Sequence, residues 1–261
     1  MTAAATDSKR ERDFARQGLS FPIPALTGDE TRRYRGACDR LEVCLGGRQR
    51  TVEVRQMHLH FPWAYELATH PVILGAVVAL LGHDLLIWAT ELFAKHPQDA
   101  AMSIAWHRDK DYMGFDSLQT LTAWVALSRS DRANGCIEAL PGPGRAKASP
   151  PAGGQPTVAV VLEPGEMSLH DSEVLHGSGP NLSREKRVGF AIRYVVPAVR
   201  PRHGRPRVVL AQGRDGCGHF ELAGAPDEAT EAAALQGLRD SAAAHLDHIL
   251  ANLSDRVRTT V

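Results

Sequence analysis

RVGFAIRYVV, residues 187–196, is the stretch on which the fold turns. Arg187, Gly189, Ala191 and Arg193 fall on one side of it, and Val188, Phe190, Ile192 and Tyr194 on the other. That period of two belongs to an extended strand and not to a helix. The second side is plainly core. The first carries two guanidinium groups separated by very small residues, which is odd for packing and natural for a pocket wall. A guanidinium matches a carboxylate bidentately, so such a wall suits an anionic ligand. The plain alternative is a pair of exposed arginines on an edge strand.

Outward from this segment, residues 85–95, 102–109, 118–127, 157–162, 166–169 and 174–177 also read as short strands bounded by turn residues. Helices precede them. Thr27 and Glu30 have the spacing of a capping box, and Pro71 suits the first turn of a helix whose Ile73, Leu74, Val77, Val78 and Leu81 share one face before Gly82. The alanine-rich segment 226–253 predicts a closing helix, residues 1–20 a flexible tail, and the Pro/Gly-rich 141–156 a loop near a site. The expectation is a mainly β protein with flanking helices, a β-sandwich or jelly-roll barrel, forming one domain over 1–261 with its β core at 84–200.

Composition narrows the function. Lys+Arg and Asp+Glu both total 30, so no net field steers the chain to nucleic acid or an anionic membrane. The start of the chain is polar, and the longest apolar run, 72–81, is too short to span a bilayer. Cys38, Cys44, Cys136 and Cys217 show no CxxC spacing, which predicts reduced thiols and a cytoplasmic protein.

Chemistry has to come from the histidines and carboxylates. Two His-x-Asp pairs occur. His245 and Asp247 fall in the predicted closing helix, where positions i and i+2 diverge. His107 and Asp109 end a predicted strand, where i and i+2 share a face and can chelate. His176, before the turn residues Gly177, Gly179, Pro180 and Asn181, is the best third ligand, with His170 its rival. Two imidazoles and a carboxylate on one face of a metal leave positions open, as non-haem iron(II) oxygenases require. His58 and His60 alternate on a predicted strand and read as ordinary polar contacts. Trp88, Trp106 and Trp124 read as core.

WHRDKDYMGF (106–115), TAWVALSRSDRANGCIEALPG (122–142) and GEMSLHDSEVLHGSGPNLSREKRVGFAIRY (165–194) together resemble the phytanoyl-CoA dioxygenase superfamily, nearest its branch of natural-product hydroxylases and halogenases. The resemblance runs from about Met57 to Leu222. It implies a double-stranded β-helix of cupin-like form, with Fe(II), 2-oxoglutarate and O2 as cofactors. It makes His107, Asp109 and His176 the iron ligands and Arg187 the partner of 2-oxoglutarate. Arg193, Thr122 and Trp124 would line the same pocket, and Lys95 would approach it from the preceding strand. The related halogenases have a small residue where Asp109 stands, so the resemblance favours hydroxylation of a small molecule, free or carrier-tethered. Arg108, Met113 and PGPGR (141–145) depart from the family pattern. A jelly-roll protein that only binds a small molecule or metal, or a cupin-type isomerase, is the alternative; neither needs the arginine.

Overall fold

The computed structural model describes residues 11–48, 53–100, 102–151, 156–227 and 230–259. The alternating segment becomes β9 (Arg187–Val195), the middle strand of a seven-stranded sheet. Across that sheet the order is β1 (Leu19–Pro24), β7 (Glu166–Asp171), β4 (Thr120–Ala126), β9, β2 (Leu85–Lys95), β10 (Arg207–Gln212) and β11 (Glu221–Ala223). A four-stranded sheet has the order β3 (Ile104–His107), β8 (Leu175–Ser178), β5 (Ile137–Leu140) and β6 (Val158–Val160). All pairings are antiparallel except β10 with β11. Trp124, Ala126 and Ala191 of the large sheet pack with Ile137, Ala139 and Val160 of the small one, so the two sheets enclose a common interior, a jelly roll.

The other face of the large sheet is covered by helices. Thr27 and Glu30 form the predicted capping box and open α1 (Gly28–Cys44), the Thr27 N–H donating to Glu30 Oε2 at 2.8 Å. α2 (Pro62–Ala68) and α3 (Pro71–Leu81) follow, α3 stopping at Gly82, whose φ of 95° is open to glycine. Ile73, Leu74 and Val77 of α3 are buried with Phe190, Ile192 and Tyr194 of β9 in one cluster. Each such side chain contributes about 1.5–3 kcal/mol by leaving water. No single helix among the described residues is long and apolar enough to cross a membrane; the bent pair α2–α3 passes only by length and composition.

Several boundaries differ from expectation. Residues 1–10 of the expected tail lie outside the described residues, but 11–17 are helical and β1 begins at Leu19. Pro22 and Pro24 hide β1 from a pattern search, and as an edge strand it tolerates both missing donors. β5 has four residues, too few to display a period, and β10 and β11 extend the large sheet beyond the expected 84–200 core. The expected 102–109 strand shrinks to β3. The 141–156 loop contains a 3-10 turn at Arg145–Lys147, and its residues 152–155 lie outside the described ones. The closing helix, after a short helical turn α4 (Lys110–Met113), is α5 (Glu231–Thr259).

The small residues of β9 now have a reason. A Cβ on Gly189 would stand 1.8 Å from Trp124 Cζ2, so the glycine makes room for the indole. We expect Gly189→Ala to cost about 2–3 kcal/mol in urea unfolding, through forced displacement of Trp124. Gly75 sits exposed within α3 with open space around it, and Gly75→Ala should stabilise by about 1 kcal/mol. A Gly189→Ala chain as stable as the parent would contradict this packing.

Candidate metal centre

β3 and β8 are antiparallel neighbours, and their register sets His107 directly opposite His176. β3 ends at His107. The backbone then turns into the right-handed helical region at Asp109 (φ −57°, ψ −39°), and α4 follows. Alternation along a strand therefore does not bring His107 and Asp109 together, contrary to the sequence reading. The turn does so, by swinging the carboxylate back beneath the strand end. One donor atom each from His107, Asp109 and His176 lies within 4.8 Å of the others, and the group could hold a metal ion. Cis ligands on a metal with bonds of about 2.1 Å stand about 3 Å apart, so small side-chain rotations would close the set.

Both imidazoles are aimed by backbone. His107 Nδ1 donates to Ala105 O at 2.8 Å and His176 Nδ1 to Val174 O at 2.9 Å, each two residues back in the chain. A carbonyl only accepts, so the proton sits on Nδ1 and the Nε2 lone pair is left for a metal. Burial, with His107 and His170 beside it, holds His176 well below the usual histidine pKa, so its ring is neutral. Burial opposes the charged form of His107 too, but the Asp109 carboxylate raises its pKa. A cation in the site would take the place of that proton.

Asp109 is fully buried. Burial alone would protonate it, but the Arg193 charge and the neighbouring imidazoles of His107 and His170, each 3.6 Å away, hold its pKa well below the ordinary value. Thr122 Oγ1 donates to Oδ2 at 2.6 Å, and the Tyr112 hydroxyl donates to Oδ1. Arg193 Nε stands 3.6 Å from Oδ2, while its Nη1 pairs with Glu91 Oε2. Glu91 Oε1 in turn meets Arg55 Nε at 2.7 Å. His170 Nε2 lies 3.6 Å from Asp109 Oδ2 and is a buried atom with no hydrogen-bond partner. It belongs to the wall of the site, outside the three-donor group.

Arg187 has a different environment. Arg187 is 1% exposed, its guanidinium lies 4.7 Å from the Trp124 ring, and among the described residues it bonds to Gly135 O and the Ser178 hydroxyl. Its Nε is buried without a partner, and among the described residues no carboxylate pairs with it. Burial depresses its pKa to about 10. Arg187, Arg193, Thr122, Trp124, His170 and His176 wall one small cavity. Lys95 does not line it. Directly opposite Arg187 in the β2/β9 register, Lys95 points its ammonium to the carbonyls of Gly135, Ser178 and Gly179. Burial and the Arg187 charge push it down to about 7.

The remaining histidines fall elsewhere. His58 and His60 lie on and beside a 3-10 turn, Met57–Leu59, not on a strand. They bond to Thr90 Oγ1 (3.1 Å) and Ser241 Oγ (2.7 Å) respectively. His245 packs 4.6 Å from Trp88 and accepts from Gln56 Nε2 at 3.0 Å. Trp88 and Trp124 are buried and Trp106 is half-buried. The four cysteines are free thiols. Two departures from the family pattern touch each other: Arg108 Nη2 donates to Arg145 O (2.8 Å) and to Ala148 O, tying down the loop that PGPGR begins. A cavity of about 730 Å³ between α1, α2 and α5 is walled by Leu41, Phe61, Trp63 and Leu235, and none of the three donors lines it.

Sequence reasoning missed Tyr112, Ser178, Glu91 and Arg55. Ser178 had a signal, two positions after His176 on the same strand face. Tyr112 had one in its distance of three from Asp109. Glu91 and Arg55 had none, because only strand register brings them to Arg193.

Residues 45–189 match the phytanoyl-CoA dioxygenase family. A Caenorhabditis elegans protein described as a probable phytanoyl-CoA dioxygenase is 25% identical over 158 residues, 51% of each chain, so this chain spans about half the length of that curated relative. The solved apo structure of ThoJ, a non-haem monooxygenase, superposes with TM-score 0.81 at 31% identity, covering 94% of this chain and 99% of that one. CytC3 with Fe(II) and alpha-ketoglutarate gives 0.66 at 25%, covering 82% and 92%. The chain belongs to the phytanoyl-CoA dioxygenase family. The cofactors of that family are iron(II) and 2-oxoglutarate, with O2 as co-substrate, and CytC3 is solved with both Fe(II) and alpha-ketoglutarate.

Proposed function

We propose that this chain is an Fe(II)- and 2-oxoglutarate-dependent hydroxylase of a small molecule, with His107, Asp109 and His176 holding iron and Arg187 binding the far carboxylate of 2-oxoglutarate. The observation that carries the reading is Arg187: a buried guanidinium that no carboxylate among the described residues pairs with, in a cavity whose wall also includes His176 of the His-Asp-His group. A buried cation is costly unless something anionic arrives to pair with it. Arg193 is the poorer candidate, because Glu91 already takes its charge. A protein using metal alone, for binding or isomerisation, would have no need of the unpaired Arg187.

Iron(II) with 2-oxoglutarate and O2 supplies an oxidant able to break an unactivated C–H bond. The protein supplies position. Ala105 O and Val174 O aim the two imidazoles. Thr122 and Tyr112 fix the rotation of the Asp109 carboxylate. Ser178 holds Arg187 flat over Trp124, where the cation–π contact adds about 1–2 kcal/mol in a dry site. Lys95 binds the carbonyls of the same turn, so the whole anion end is rigid before the cosubstrate enters. Asp109 occupies the position a halide would need, and its charge disfavours a second anion there, which supports oxygen transfer over halogenation. The resemblance to natural-product enzymes supports a secondary metabolite, free or carrier-bound, as substrate.

Arg187→Leu should raise the 2-oxoglutarate concentration needed for half-maximal turnover about 10- to 100-fold, the loss of one charged bidentate contact. Iron binding should persist, and the apo chain should lose no stability in urea, because the change removes a buried unpaired charge. An unchanged 2-oxoglutarate requirement would remove Arg187 from this role.

The reaction itself is tested by screening candidate metabolites for succinate release in halide-rich buffer, with mass spectrometry of the product. The expected product gains one oxygen and no halogen. A chlorine isotope pattern would overturn the hydroxylase reading, because Asp109 would then not be on the metal during turnover.

A further inference from the structure

Arg55, Glu91, Arg193 and Asp109 form a row of alternating charge that runs from the half-buried edge of β2 to the metal centre. Glu91, Arg193 and Asp109 are respectively 2%, 4% and 0% exposed. In such surroundings a guanidinium beside a carboxylate ordinarily closes to a bidentate pair with N–O distances of about 2.7–2.9 Å. Arg193 does not. Its Nε stops 3.6 Å short of Asp109 Oδ2 and has no hydrogen-bond partner. Its Nη1 instead donates to Glu91 Oε2. Glu91 lies directly opposite Ala191 in the β2/β9 register, where the small methyl leaves the carboxylate room to reach Arg193. Its other oxygen forms an ion pair with Arg55 Nε at 2.7 Å, a close approach without hydrogen-bond alignment, and Arg55 is itself bridged to Glu91 through the backbone.

We propose that Glu91, backed by Arg55, is a positioning residue for the metal centre: it holds the Arg193 guanidinium away from Asp109 and keeps that carboxylate open to a cation. The proposal rests on the reading of Asp109 as a metal ligand. Two effects act in the same direction. Without the Glu91 charge, Arg193 is free to close on Asp109 and compete with the metal for its oxygens. An uncompensated guanidinium a few ångströms from the site also repels a divalent cation. Glu91 acts through Arg193 and need not touch the metal or cosubstrate.

The alternative is that the row merely fastens the 53–61 segment onto β2, and a double-mutant cycle separates the two. Cobalt(II) is titrated anaerobically into the apo chain and its visible d–d absorption followed for the parent, Glu91→Gln, and Glu91→Gln with Arg193→Gln. We expect Glu91→Gln to bind cobalt about 10- to 100-fold more weakly, the range found when a group behind a metal ligand is lost. The double variant, with the competitor removed, should return to within about threefold of the parent. A purely structural row predicts a double variant no better than the single one, and that result overturns the proposal, as does an unchanged affinity in Glu91→Gln. Should the single variant fail to fold, the double variant decides alone, since it removes the Glu91 and Arg193 charges together and leaves Asp109 to be neutralised by the added cation: near-parental affinity supports the proposal, and a loss of about tenfold or more overturns it. A parent chain that gives no cobalt spectrum would instead contradict the metal-ligand reading itself.

Discussion

The carboxylate of Asp109 has to stay charged in a place with no water, and much of the interior is arranged around that requirement. Moving an isolated carboxylate out of water costs several kcal/mol even after relaxation, enough to protonate it. Here Arg193 supplies the opposing charge, and Thr122 and Tyr112 supply hydrogen bonds from two different elements, β4 and the α4 turn. Each of these groups arrives from a strand or turn fixed by the jelly roll. A slip of one residue in the β4/β9 register would put Arg193 and Thr122 on opposite faces of the sheet.

The same sheet separates two cations that are only six residues apart in sequence. Arg193 is neutralised by Glu91 and faces the metal donors, whereas Arg187 rests on Trp124 with no acid partner. The alternating residues between them, Gly189 and Ala191, are small because Trp124 and Glu91 fill the space in front of them. One strand thus offers a cation already paired within the structure and another, the proposed receptor of the cosubstrate, that no carboxylate among the described residues pairs with. That division supports the assignment of cosubstrate binding to Arg187 more strongly than composition or motif does.

What was legible in the sequence was local. The period of β9, the capping box of α1, the stop of α3 at Gly82 and the candidate ligands all depend on residues within a few positions of one another. What was not legible depends on pairing. β1 is masked by Pro22 and Pro24, and only its partner β7 makes it a strand. Glu91 reads as any strand glutamate until register sets it beside Arg193. His107 and Asp109 were paired for the wrong reason: alternation along a strand was expected, and a helical turn after the strand end does the work. Arg108 and the PGPGR loop looked like unrelated departures, and their contact explains them together.

The central claim is that a three-ligand iron site and a carboxylate receptor meet at one cavity, whose wall includes both His176 and Arg187. Anaerobic titration with iron(II) followed by 2-oxoglutarate tests it most directly, because chelation of that oxoacid by iron gives a visible charge-transfer band. The account predicts a band saturating at one iron and one 2-oxoglutarate per chain, and its loss in His176→Ala. A parent chain that stays colourless, or a His176→Ala chain that keeps the band at full strength, would contradict it.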